Sequence, residues 1–122
     1  MFLQLGHTKL DAYTVTRQFV KECYLAVCQF PHEEKFNLTQ QIKRAALSVH
    51  LNLAEGSSRK SDIERKRYYE IARGSIIEVD AALDVASDLG YCSLDSLKAL
   101  GNALIKCFKY LSALINSISI NQ

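Results

Sequence analysis

The sequence predicts an all-α protein, an antiparallel up-down-up-down four-helix bundle forming a single domain over residues 1–122. Three observations carry that expectation. Hydrophobic residues make up 48% of the chain, with one Pro and five Gly, a composition suited to packed helices and poor for loops. Apolar residues recur at helical spacing in four segments, and no run alternates at period two as a half-buried strand would. The connections between segments are short, so successive helices should run antiparallel.

Helix one is expected from about Lys9 to Cys28. Thr8 with Asp11 resembles a capping box, and Phe30-Pro31-His32 ends the segment. Its inward stripe reads Tyr13, Thr16, Val20, Cys23 and Val27, with Tyr24 beside it. Helix two should start near Leu38, capped by Asn37 and Gln40, and stop around Gly56. Helix three has the clearest start, an S-x-x-E box of Ser61 and Glu64 with Asp62 favouring the positive end of the dipole. Its core stripe reads Tyr68, Ile71, Ala72, Ser75, Val79, Ala82, Leu83, Ala86 and Leu89, and Gly90 is a natural residue just past the end. Helix four follows Ser93. Leu97, Leu100, Leu104, Cys107, Leu111, Leu114 and Ile118 repeat at 3-4 spacing, a bundle seam.

Composition narrows the function classes. No apolar run approaches the ~20 residues that span a bilayer. The N-terminus MFLQLGHTKLDAY lacks the basic and apolar regions of a signal peptide, so a cytoplasmic protein is expected. Cys23, Cys28, Cys92 and Cys107 form no CxxC pair or zinc spacing and read as reduced thiols, so neither a metal nor a cofactor is expected. His7, His32 and His50 are scattered, and no catalytic or phosphate-loop motif occurs. Glu55 and Glu78 could approach one another across helices two and three as an acid–base pair. Arg44 and Arg59 share Glu55's stripe, so ion pairing is the plainer reading, and no enzyme is expected.

Helix two carries three faces. Leu38, Ile42, Ala45, Ala46, Val49 and Leu53 form the core stripe at about 100° per residue. Arg44, Ser48, Asn52, Glu55 and Arg59 form a polar stripe. With Glu78 of helix three it reads as a structural element fixing helix register through hydrogen bonds and ion pairs. Leu47, Leu51 and Ala54 make a third, apolar patch. Helix three likewise has a second apolar face, Gly74, Ile77, Ala81 and Val85. Surplus apolar surface on two adjacent helices points to an interface, and a homo-oligomer is expected to bury these residues.

The net charge of +2 is unevenly spread. Residues 38–73 hold eight basic residues against four acidic ones, whereas residues 74–122 hold three against five. Arg59, Lys60, Arg65 and Lys66, with Arg67, crowd the turn into helix three, and Ser57, Ser58 and Ser61 add hydroxyl donors. Basic side chains, hydroxyls and a helix N-terminus suit nucleic-acid phosphates. No aromatic platform accompanies them, so base-specific readout is not expected.

The run Gln41-Ile42-x-Arg44-Ala45-Ala46-x-Ser48-Val49-x-x-Asn52-x-Ala54-Glu55-Gly56 also carries a family resemblance, joined by Ile71-Ala72-Arg73-Gly74-Ser75-x-x-Glu78 and Leu89-Gly90-Tyr91. It resembles the bacterial 23S rRNA intervening-sequence proteins, also called the S23 ribosomal protein family. The accessory variability determinants of diversity-generating retroelements are related to that family. The resemblance covers about residues 10–118 and departs at His50, where the family often has Pro. It implies a bundle assembled as a ring, commonly a homopentamer, encoded within rRNA intervening sequences. For the retroelement relatives it implies a basic surface engaging RNA or DNA and a reverse transcriptase. The expected function is thus a non-enzymatic oligomer associated with nucleic acid through phosphates. The alternative is an assembly or protein-docking module.

Overall fold

The computed structural model describes residues 1–118, apart from the side chains of Thr8 and Lys9. Four helices form the bundle: α1 (Asp11–Ala26), α2 (Leu38–Ser57), α3 (Asp62–Asp88) and α4 (Lys98–Ser117). Each packs on two neighbours, α1 on α2 and α4, and α3 on α2 and α4, closing an up-down-up-down ring of helices around one core. The α2–α3 pair is the most extensive.

The ends show local chemistry at work. A 3-10 turn, Gly6–Lys9, leads into α1, whose cap residue Leu10 has no side-chain cap bond. Thr8, expected to cap this helix, has its side chain outside the described ones. The start of α2 also differs from expectation: Asn37 makes no cap bond, and Glu34 accepts from the Leu38 amide at 3.2 Å instead. Ser61 does cap α3, accepting from the Glu64 amide at 3.4 Å. At the far end Gly90 takes φ +77°, a conformation a Cβ disfavours. Its amide bonds Ser87 O and that of Tyr91 bonds Ala86 O, the paired closure of a Schellman motif. Before α4, Ser93 and Ser96 accept reciprocally from each other's amides at 3.1 and 3.0 Å, so the helix itself begins only at Lys98.

The α4 seam lies inside, with Leu97, Leu100, Leu104, Cys107 and Leu111 buried and Ile115 replacing Leu114 as the last fully buried member. On α1 the buried face is Ala12, Val15, Thr16, Phe19, Cys23 and Ala26, rotated from the expected stripe, so Tyr13 and Val20 are only half-buried. On α3 the early part is rotated too: Tyr69 and Ile76 are buried, Tyr68 is half-buried and Ile71 is exposed; Leu89, just past the helix end, is exposed as well. Burial pushes the Cys23 and Cys107 thiols up to about 12, and Cys107 donates to Val15 O at 3.4 Å. These buried thiols behave as small core hydrophobes.

His50 occupies the position where the resemblance expects Pro, and α2 runs through it without interruption. Its Nδ1 lies 2.8 Å from Thr16 Oγ1 of α1, and its ring packs on Tyr13 at 4.7 Å between centroids. Burial, then Arg17 and His7, lower its pKa below the usual histidine value.

Candidate functional site

The turn between α2 and α3 is held by close packing and by bonds within the chain. Gly56 is buried, and a Cβ there would sit 2.8 Å from Tyr68 Cβ and 3.1 Å from the Tyr69 ring. Glycine therefore lets the end of α2 press onto the first turns of α3. Just beyond, Ser57 Oγ and the Tyr69 hydroxyl share a 2.9 Å hydrogen bond, and Ser58 Oγ donates to Glu55 O at 2.7 Å. Both hydroxyls expected to meet phosphate are thus engaged internally.

Arg59 is similarly committed. Its guanidinium pairs with Glu55, bonds the Tyr68 hydroxyl at 3.3 Å, stacks over the Tyr68 ring at 5.1 Å, and has its Nε 3.9 Å from Glu64. The Glu55 carboxylate, and after it Tyr68, raise its pKa further. Arg59 braces the turn more than it offers free charge. Arg65 lies 3.5 Å from Asp62. Lys60, Lys66 and Arg67 make no ion pair with any described residue. The start of α3, expected to offer free N–H groups to an anion, is capped by Ser61 and carries Asp62 and Glu64 in its first turn.

Two open clefts border this end. One, of about 620 Å³, lies between the N-terminal 3-10 turn and the basic turn, with Arg65, His7, Ser57 and Tyr69 over a floor of Leu10 and Leu114. The other, of about 590 Å³, is formed by Ile63, Lys66, Arg67, Glu70 and Ile71 along the outside of α3.

The polar stripe divides in two. Ser48 Oγ accepts from Ser75 Oγ and from Asn52 Nδ2, each at 2.9 Å, and Asn52 also donates to Ser48 O at 2.8 Å. This is the α2–α3 hydrogen-bonded seam, and Glu55 with Arg59 continues it toward the turn. Arg44 and Glu78 are exposed and make no hydrogen bond or ion pair with a described residue. Because α2 and α3 are antiparallel with Ser48 against Ser75, Glu55 stands level with Tyr68. Glu78 is ten residues further along α3, about 15 Å away at 1.5 Å per residue, so the two carboxylates form no acid–base pair.

Of the residues expected at an interface, Leu47, Leu51, Gly74, Ile77, Ala81 and Val85 are exposed and Ala54 is half-buried. They divide between two flanks. Leu47 and Leu51 share a side of α2 with Lys43, whose ammonium lies 5.1 Å from the Tyr24 ring centroid, and with His50. Ile77 lines a groove toward α4.

The 23S rRNA-intervening sequence protein profile matches residues 8–113. The chain belongs to that family. A solved relative has the same fold: a protein of unknown function from the S23 ribosomal protein family of Bacteroides thetaiotaomicron VPI-5482. It is 17% identical, superposes with a TM-score of 0.76, and the match covers 87% of this chain and 99% of that one. No curated protein matches the sequence. Among the described residues, no helix is long and apolar enough to cross a membrane.

The basic residues of the turn, the Glu55–Arg59 pair and the Ser61 cap are legible in the sequence, but the two tyrosines that hold the turn are not. Tyr68 and Tyr69 reach back across the turn to Arg59 and Ser57, and His7 and Leu114 border a cleft there from distant parts of the chain. The adjacent tyrosines opposite a helix-terminal glycine were the available signal.

Proposed function

We propose that this family member is a non-enzymatic homo-oligomer that holds RNA or DNA by its phosphates at the α2–α3 end of the bundle. The observation that carries the reading is the set of cations there with no carboxylate partner among the described residues, Lys60, Lys66 and Arg67, beside Arg65 on the cleft edge. Arg59, Ser57 and Ser58 serve by shaping the turn. One turn attracts weakly, because Glu55, Asp62 and Glu64 offset part of its charge. In a symmetric assembly, for which the resemblance favours five subunits, the turns gather at one end and their fields add.

The test is binding to duplex and single-stranded nucleic acid across a salt series. Releasing counterions from Z phosphates gives a log–log slope of about −0.9Z for duplex DNA or about −0.7Z for single strands. Changing Lys60, Lys66 and Arg67 together to Gln should flatten that slope with assembly size unchanged. Changing Lys21, Lys35 and Lys106, exposed lysines elsewhere, should not. Equal losses from both sets would mean bulk charge and no site.

A second reading has its own support. Ile63 and Ile71 are exposed beside Arg67, and the local carboxylates temper the positive field. That mixed surface suits a protein partner, and the retroelement resemblance makes a reverse transcriptase the first to try. Absence of nucleic-acid binding by the intact assembly at low salt would favour it.

A further inference from the structure

The apolar residues outside the core form two unlike surfaces. Leu47 and Leu51 make a ridge along α2, with Lys43 and Arg44 at its start. On the other side of the bundle, between α3 and α4, runs a groove of about 410 Å³. Ile77, Leu104, Ile105 and Phe108 line it, and Asp80 and Lys109 edge it. Leu51, Ile77 and Ile105 are 59%, 56% and 54% exposed, apolar surface that a second copy seated there would take out of water.

We propose that the α2 ridge of one copy seats in the α3–α4 groove of the next, head to tail. The inference rests on the homo-oligomer part of the functional reading and specifies its contact. A two-fold dimer would set one patch against itself, whereas a ridge and a distant groove make a heterologous contact, which forms a ring when the rotation between copies closes, as the resemblance implies.

Heights along the bundle support the pairing. In a ring whose axis runs along the bundles, rotation shifts nothing along the axis, so residues meeting across the contact stand level. The Ser48–Ser75 bond sets the scale, one residue up α2 matching one down α3. Lys43, five residues before Ser48, is then level with Asp80, five beyond Ser75, and Arg44 lies within one residue of it. The basic start of the ridge meets Asp80, on the α3 edge of the groove. Leu47 falls within one residue of Ile77, beside Phe108. Leu51 falls near Gly74, where nothing lies within 4 Å of a Cβ position and the surface is open to a neighbour.

The test uses two single variants, Leu51→Glu, which spoils the ridge, and Ile77→Lys, which spoils the groove. Light scattering after gel filtration should show each alone as the 13.7 kDa monomer with helicity retained, since both positions are exposed. Mixed one to one, the intact ridge of the second fits the intact groove of the first, and the mass should double and stop there. Either variant alone still assembling, or a mixture that stays monomeric, overturns the head-to-tail contact. A wild-type chain monomeric at high concentration overturns the oligomer itself. Should either variant lose helicity, Arg44→Glu and Asp80→Arg repeat the test by charge. Each alone should assemble less than wild type, and one chain carrying both changes should recover its size. No recovery overturns the pairing.

Discussion

Replacing Gly56 by Ala tests whether the close approach of α2 to α3 is real. The new methyl would stand 2.8 Å from Tyr68 Cβ and 3.1 Å from two Tyr69 ring atoms. Carbon atoms prefer about 3.5–4.0 Å. Tyr68 Cβ is fixed to the backbone, so α3 or the end of α2 must give way. Tyr69 cannot swing aside without stretching its bond to Ser57. Overpacking of this kind costs about 1–3 kcal/mol. Alanine's better helix propensity returns up to about 1 kcal/mol. The net expectation is a loss of about 1–2 kcal/mol, lowering Tm by about 3–6 °C for each kcal/mol. Thermal and urea unfolding followed by circular dichroism would measure it, at matched protein concentration because assembly shifts apparent stability. Gly101→Ala on α4 is the control, since a Cβ there meets nothing within 4 Å, and it should stabilise by about 0.5–1 kcal/mol. A Gly56→Ala protein as stable as wild type, with the control behaving as expected, would refute the packing argument.

Other outcomes follow from the same geometry. Leu111 is fully buried in the α4 seam, so Leu111→Ala should cost about 2–5 kcal/mol in urea unfolding, whereas Leu104, which borders the open groove, should fall at the low end of that range. His50 has its pKa lowered in the fold, so the unfolded chain takes up protons first as pH falls. Stability present above the ordinary histidine value near 6.5 should decline below it, and His50→Gln should flatten that decline in a pH series of unfolding midpoints. Mass-mapped alkylation of the native protein should modify exposed Cys28 and leave Cys23 and Cys107, held at about 12, until the chain unfolds. Early labelling of Cys107 would mean that α4 opens from the core.

Helix order, the short connections and the caps at Ser61 and Gly90 were legible because each depends on neighbours within a turn of chain. The inward face of α1 was not. Two apolar series run along it one residue apart, and which one turns inward depends on how α2 and α4 wrap it. Phe19 and Val15 won, leaving Val20 at the margin. On α3 the adjacent Tyr68 and Tyr69 posed the same ambiguity. Tyr69 went inside and Tyr68 became the platform for Arg59. The basic turn and the Glu55–Arg59 pair that tempers it were both visible in the sequence, but the tyrosine contacts that hold the turn were not. The Ser57–Tyr69 and Arg59–Tyr68 contacts form only once α3 has folded back on α2. The two apolar surfaces were visible as residues, but not as a ridge and a groove on different flanks, which needs the position of α4.

The α2–α3 pair is at once the most extensive contact in the bundle and one between neighbours in sequence, joined by only the short turn after Ser57. Closing so short a loop costs little entropy, which makes this hairpin the natural first unit of folding. Ser48 of α2 and Ser75 of α3 can thus meet before α4 packs on them. The α4 seam then arrives to seal a half-built core, and amide exchange in the finished protein should be slowest along α2 and α3.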